Sequence, residues 1–247
     1  MENKKLAFLF LTRGEIVSSE AWNLFFSQAN PSNYNIYIHP DFNFNPNDKT
    51  PFGKHYIKDK KPKEKGYYID AQKRLIQESV KDQENYKFIL CSEDCVPIVN
   101  FNFFYDNLTK DSKSSIRYGD SWIEKGQPRY INELKKEDQK ANAHWFVLSR
   151  KHAEFFSEEE ECFNFMNKYI CSCEHYPSTA LHMKGLLNDE NVINKDILLE
   201  EFTNYGVIDF SLLKKKEILT KIDEARENGY FLIRRFSNSF DLNLLKL

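Results

Sequence analysis

The sequence predicts an α/β protein built on a central, mostly parallel twisted sheet, and three observations carry that expectation. Apolar runs of strand length recur at KKLAFLFLTRG, NYNIYIHPD and KFILCSEDCVPI, the pattern of buried strands. Segments with helical spacing separate them, as the crossovers of a parallel sheet require. Each run also ends in polar residues, at Thr12-Arg13, His39-Pro40-Asp41 and Ser92-Glu93-Asp94. Ligands of such sheets sit at the carboxyl ends of strands.

The elements follow in order. Leu6–Leu11 is apolar throughout and reads as a strand buried on both faces. SSEAWNLFFSQAN is a helix that Ser18 or Ser19 can cap, with Ala21, Trp22, Phe25 and Phe26 as its apolar stripe. NYNIYIHPD alternates Tyr34, Ile36 and Ile38 against Asn35, Tyr37 and His39. The Asn-, Pro- and Lys-rich stretch from Phe42 to Lys65 predicts a long loop around a minor strand at His55–Ile57. YYIDAQKRLIQESVKDQ is helical through Ile69, Gln72, Leu75, Ile76 and Val80, and Asn85-Tyr86 breaks it. KFILCSEDCVPI reads as one buried strand with an acidic end, FNFFYDNLTK as a short helix and SSIRYGD as a strand.

Residues 119–142 are polar and lysine-rich, which predicts a surface excursion. AHWFVLSRKHAEFF turns from strand to helix, and the acidic run Glu158–Glu161 starts the next helix, where negative charge suits the dipole. CSCEHYPSTAL leads into a helix through Ala180, Leu181, Met183, Leu186 and Leu187. KKEILTKIDEARENG places Ile218, Leu219, Ile222 and Ala225 on one face and stops at Gly229, before a last extended segment, YFLIRRFSNSF.

Composition narrows the function classes. At 247 residues the chain is one large domain or two small ones. Its net charge of −2 gives no reason to expect a nucleic-acid partner. No apolar run approaches the roughly 18 residues of a membrane span, so the chain reads as soluble as it stands, with a cytoplasmic location expected. Five cysteines are too few for a disulfide scaffold of this size; free thiols are expected, with one bridge involving Cys162 or the 171/173 pair as the alternative.

Several chemistries lack their residues. Cys171, Cys173 and His175 have neither the paired Cys-x2-Cys spacing nor a second half, so no metal site is expected there. The six histidines are too scattered to nominate a Cys/His hydrolase. There is no G-x-x-x-x-G-K-[ST] and no G-x-G-x-x-G. No aspartate is followed two residues later by another, so the metal-binding Asp-x-Asp of many sugar-nucleotide enzymes is missing. A bound diphosphate would then need cationic side chains; Arg234, Arg235 and Lys214-Lys215-Lys216 are the candidates, with a solvated basic edge as the alternative.

Six segments, in order over about residues 6–236, carry a resemblance. LAFLFLTRG and YNIYIHPD resemble the first two strands of the core-2/I-branching glycosyltransferases and their plant and viral relatives. YKFILCSEDCVPIVNFNFFYDNL is similar to that family's F-x-x-L-S-E-x-C-I-P-L strand and following helix. ANAHWFVLSRKHAEFF resembles its K-G-S-Q-W-F-x-L-S-R-x-H-A segment, CEHYPSTAL its D-E-H-Y-x-x-T-x-L, and YFLIRRFS its terminal L-F-A-R-K-F.

The resemblance implies a single GT-A-like domain over 1–247, with a nucleotide-binding half at about 1–120 and an acceptor and catalytic half at about 121–247. It implies inverting transfer of GlcNAc, xylose, glucose or glucuronate from a UDP-sugar to a hydroxyl of a glycan or glycoprotein, with no cofactor and no divalent metal. Glu174 falls on the family's catalytic base, and Arg235 on its diphosphate ligand, with Arg234 and Lys215 as auxiliaries. Thr12, Arg13, His39 and Asp41 would contact the nucleotide. Ser92, Glu93, Asp94, Trp145 and His175 would lie near the donor sugar or acceptor, though a core role for Trp145 stays open. Chemically, single displacement needs one carboxylate to take the acceptor proton, here from the start of a helix, and a cation to meet the departing phosphate.

Two departures stand out. Cys173 replaces the usual Asp before Glu174, and Ala141-Asn142-Ala143-His144 replaces Gly-Ser-Gln before Trp145. They keep an alternative open, an inactive UDP-sugar- or glycan-binding protein with the same fold.

Overall fold

The computed structural model of the protein describes residues 4–59, 67–121, 123, 125–127, 130–169, 171–204, 206–237 and 241–245. The first half supplies β1 (Lys5–Leu11), α1 (Ser19–Ser27), β2 (Tyr34–His39), α2 (Tyr67–Ser79), β3 (Asn85–Ser92), β4 (Cys95–Pro97), α3 (Phe101–Thr109), β5 (Ser114–Ser115) and β6 (Tyr118–Asp120). There follow β7 (Lys140–Asn142), β8 (Val147–Ser149), α4 (Arg150–Glu158), α5 (Glu161–Met166) and α6 (Tyr176–Met183). The chain ends through β9 (Val192–Ile193), β10 (Leu198–Glu200), β11 (Phe202–Thr203), β12 (Gly206–Val207), α7 (Lys215–Glu227) and β13 (Leu232–Arg234). No described helix is long and apolar enough to cross a membrane.

The main sheet runs β2-β1-β3-β8-β5-β9. Only β8 is antiparallel to its neighbours, so the sheet is mostly parallel, with helices against it. β1 is an interior strand, between β2 and β3, because its apolar run has nothing to offer water. Register places Leu11 level with His39 on one side and Ser92 on the other. The three strands therefore end together, and their polar tails emerge along one edge.

Trp22 of α1 organises one face. Its ring centroid lies 5.8 Å from that of Phe8, 4.9 Å from Phe10 and 5.5 Å from Phe25, mostly edge to face. Its indole N–H donates to the Cys95 carbonyl at 2.9 Å, which ties α1 to β4. α2 and α4 pack on each other and against β1 and β3.

β4 belongs to a second sheet, β10-β13-β4. Its register aligns Glu200, Arg234 and Cys95 in one row. The guanidinium of Arg234 thereby reaches Asp94 at 2.8 Å and ion-pairs with Glu200, with both carboxylates largely buried. This clamp fixes the second sheet at the carboxyl end of the first.

Several elements differ from the sequence expectation. KFILCSEDCVPI is two strands, because Ser92-Glu93-Asp94 turns the chain out of the main sheet and into the second. SSIRYGD also divides, between the main sheet and a pairing of β6 with β7. Residues 119–142 are only in part a surface excursion: Gly119, Asp120 and residues 125–127 and 135–137 are exposed, but Tyr130, Ile131 and Leu134 are buried. The Gln139 amide donates to the Ile131 and Leu134 carbonyls at 2.9 and 3.1 Å. Residues 122, 124, 128 and 129 lie outside the described residues.

Ser18 is the N-cap of α1, but at φ −98° and ψ 43° it is outside the extended conformation that aims a capping hydroxyl, and its side chain makes no cap bond. α6 stops at Met183, before Leu186 and Leu187. Gly185 takes φ 68°, and the N–H groups of Gly185 and Leu186 donate to His182 and Leu181 at 2.9 and 2.8 Å, a glycine-terminated close. The minor strand reduces to a single bridge of Tyr56 with Ile38; residues 60–66 of the adjoining loop lie outside the described residues. All five cysteines are unpaired thiols.

Two stability predictions follow from these contacts. Arg234→Met strands two buried carboxylates and should cost about 3–5 kcal/mol in urea unfolding, partly recovered by adding Asp94→Asn and Glu200→Gln. The pKa of His152, buried on the face of α4 that meets β5 with its Nδ1 2.7 Å from the Ser114 hydroxyl, is pushed down to about 4 by burial. The unfolded chain then binds the proton first. Stability is full above pH 6.5 and falls as pH drops toward 4, by up to about 3 kcal/mol from this residue. Urea midpoints at pH 7.0 and 4.5 read it, and His152→Asn should flatten the dependence.

Candidate active site

A cavity of 280 Å³ lies behind the ends of β1 and β3, and one of 640 Å³ adjoins it. His144, Trp145, Glu174, Glu200 and Phe202 line both, so the two form one cleft with Glu174 at the join.

Glu174 sits in a single 3-10 turn, Ser172–Glu174. Cys171 enters that turn at φ 59°, and the amides of Glu174 and His175 donate to Cys171 and Ser172 at 3.0 Å each. α6 begins only at Tyr176, with Pro177 in its first turn, so the carboxylate precedes the helix rather than starting it. Asn142 secures both parts. Its amide donates to the Cys173 carbonyl at 3.0 Å, and its oxygen accepts from the Ser178 N–H and hydroxyl at 3.1 and 2.8 Å. From below, the buried Glu159 carboxylate accepts from Cys162 and Phe163 amides at 2.7 and 3.1 Å and from the Tyr176 hydroxyl at 2.9 Å. The acidic run thus caps α5 and anchors α6 at once.

The smaller cavity is lined by Thr12, Arg13, Asp41, Ser92, Glu93, Asp94, Arg234 and Arg235. The Thr12 and Ser92 hydroxyls are buried with no hydrogen-bond partner among the described residues, which leaves polar capacity for a ligand. Arg13 pairs with Glu93 at 2.6 Å, and that carboxylate holds its guanidinium pKa above the usual value. Arg234 is spent on Asp94 and Glu200. Arg235 differs: its Nε is 3.9 Å from Asp209, beyond hydrogen-bond reach, and its side chain is 40% exposed. It is the guanidinium of this wall with the least local neutralisation.

At the join, Trp145 lies between two partners. The Arg234 guanidinium is 5.1 Å from its ring and the His144 ring 4.4 Å away. Trp145 is therefore both a buried residue and a wall of both cavities, which reconciles the two readings of it. Burial, with Arg234 nearby, lowers the His144 pKa to about 4, so its imidazole is neutral at neutral pH. Its Nδ1 is 3.4 Å from the Cys173 sulfur, and burial pushes that thiol up to about 12. The two departures from the family pattern therefore touch each other.

Three expected site residues are elsewhere. His39 is fully buried and lines neither cavity; its carbonyl accepts from the Thr12 amide at 3.0 Å. His175 is buried as the N-cap of α6, its Nδ1–H donating to the Lys140 carbonyl at 3.0 Å. Lys215 opens α7 and pairs with Asp241 at 3.3 Å, and Lys214 and Lys216 likewise line neither cavity. Conversely, Arg117, Asp196, Glu200 and Phe202 line the cleft without any sequence signal, since Arg117 and Asp196 lie in connecting segments and Glu200 and Phe202 on strands too short to show periodicity. His144 had one signal, its place beside Trp145. Among the described residues, no group of three or more His, Cys, Asp or Glu side chains is placed to hold a metal ion.

Comparison with known proteins places the chain in a family. The chain is 30% identical over 166 residues to glycosyltransferase BC10 of Oryza sativa subsp. japonica, an alignment covering 64% of this chain and 42% of that one. This chain thus spans less than half of its plant relative. Two solved structures are similar at 10% identity. One is a glycosyltransferase involved in glycosylation of the major capsid of PBCV-1, with a TM-score of 0.44 over 95% of this chain and 96% of that one. The other is the WbbM bifunctional glycosyltransferase, with a TM-score of 0.46 over 97% and 47%. The sequence profile of the Core-2/I-Branching enzyme family matches residues 6–203, which include β1, the Ser92-Glu93-Asp94 turn, Trp145 and Glu174, and the chain belongs to that family.

Proposed function

We propose that the chain is a glycosyltransferase that moves a sugar from a UDP-sugar to a hydroxyl of a glycan or glycoprotein, with inversion and without a divalent metal. The observation that carries this reading is the position of Glu174, where two cavities meet, with Arg235 on the wall of the smaller one. The domain is GT-A-like in this reading. Apart from the residues shared by both cavities, the nucleotide side draws mainly on 1–120, with Val207, Arg234 and Arg235 crossing over, and the acceptor and catalytic side mainly on 121–247, with Arg117, Tyr118 and Gly119 crossing the other way.

The donor occupies the smaller cavity, with its sugar toward Trp145 and the acceptor entering from the larger one. Glu174 takes the proton from the acceptor hydroxyl as that oxygen bonds to C1 on the face opposite the phosphate. The bond from C1 to the phosphate oxygen breaks, and UDP leaves with the electron pair. Arg235 meets the charge that grows on the departing phosphate, the task a metal performs in other enzymes. Of the acids that line the smaller cavity, Glu93 and Asp94 each already hold a guanidinium, which supports metal-free chemistry.

UDP release from UDP-GlcNAc, UDP-xylose, UDP-glucose and UDP-glucuronate tests the reading. Glu174→Gln should lower kcat by about 10²–10⁴ while UDP still binds; persistent activity would remove Glu174 as the base. UDP binding by the wild type without turnover of any donor would favour a binding protein. Arg235→Ala should weaken UDP about 10- to 100-fold in calorimetry, the loss of a charge-assisted contact. Turnover should be insensitive to EDTA; a strict requirement for Mn2+ would overturn the role given to Arg235.

A further inference from the structure

The larger cavity carries a charge pattern that selects its occupant. It has aromatic surface at Tyr118, Trp145, Phe202 and Tyr230. Among the described residues its charged lining is Glu174, Asp196, Glu200 and Arg117; Glu200 is already held by Arg234, which leaves Glu174 and Asp196 facing Arg117. Arg117 does little to balance them: its side chain is 70% exposed, and its guanidinium lies 3.3 Å from one oxygen of Asp196.

The other oxygen of Asp196 is buried with no hydrogen-bond partner among the described residues. Burial raises the pKa of this carboxyl despite the neighbouring Arg117, a sign that its charge is under-compensated. An acceptor oxygen in that position needs a donor. A sugar hydroxyl supplies one, whereas a carboxylate or phosphate brings more negative charge into an already negative wall.

Resting on the glycosyl-transfer reading, we propose that this cavity is an acceptor subsite for an uncharged saccharide and that Asp196 recognises it. Arg117 fixes one oxygen of Asp196, and the other takes the O–H of an acceptor-sugar hydroxyl. The acceptor ring lies along the aromatic surface, with its reacting hydroxyl toward Glu174. An acidic glycan is disfavoured at the same place.

Phenyl β-galactoside and phenyl β-galacturonide, which differ only in a C6 carboxylate, test this with the full chain. With the donor that the UDP-release panel identifies, the galactoside should have a kcat/KM at least about 10-fold above the galacturonide. Asp196→Asn, which keeps the side-chain shape, should raise KM for the galactoside about 10-fold with little change in kcat or in KM for the UDP-sugar, and should narrow the preference between the probes. A melting temperature at or above that of wild type checks that the variant is folded. Equal use of both probes by the wild type, or an unchanged acceptor KM in Asp196→Asn, overturns the proposal while leaving glycosyl transfer intact. Saturation-transfer NMR with the same probes reads the cavity without turnover. Binding of the galactoside alone, weakened in Asp196→Asn, supports the subsite even if no donor in the panel is turned over; equal binding of both probes sinks it.

Discussion

A guanidinium drawn between two largely buried carboxylates has to be matched in charge on both sides, and Arg234 is held that way by Asp94 and Glu200. Asp94 belongs to the turn that leaves the main sheet, Glu200 to one strand of the second sheet, and Arg234 to the strand beside it. One side chain thus joins the two sheets. Its flat face also lies over Trp145, which walls both cavities. The smaller cavity lies where the two sheets meet, and Asp94, Glu200 and Arg234 of the clamp all line it.

The same clamp sorts the charges of the site. Arg13 and Arg234 are committed to acids on neighbouring segments, so their charge is largely spent in building the wall. Arg235, one residue further, has only a long approach to Asp209. Neighbouring arginines on the wall of one cavity thus differ in their partners, one held between two acids and one with a single long approach. His144 and Cys173 show the same economy in neutral form. Each is buried, each is kept uncharged by that burial, and they contact one another at the join of the cavities.

Most of the helices and the parallel core were legible in the sequence because they rest on local patterns. Leu6–Leu11 is apolar at every position, and the Trp22 stripe has helical spacing; each needs only its own residues to declare itself. Element ends were less legible. The hydroxyl of Ser18 depends on a backbone angle, and the strand that seemed to run from Lys87 to Ile98 breaks where two distant arginines take Glu93 and Asp94. The packed segment at 130–139 was hidden because its few apolar residues are diluted by lysines, and only its neighbours show which of them are buried.

For the site, the sequence by itself determined which residue types end the first three strands, and it singled out Glu174, Arg235 and Trp145 through an ordered family pattern. It did not determine which of the nominated groups meet. His39, His175 and Lys215 carry chemistry in their names, yet their side chains line neither cavity; Asp196, Glu200 and Arg117 were silent and line the cleft. Tertiary structure decided this through register and burial. The pairing of β10 with β13 and of β13 with β4 sets three distant residues in one row, and desolvation then decides whether each charge is neutralised, displaced to solvent or left available to a ligand. Those are properties of neighbours in space, and a linear sequence records only neighbours along the chain.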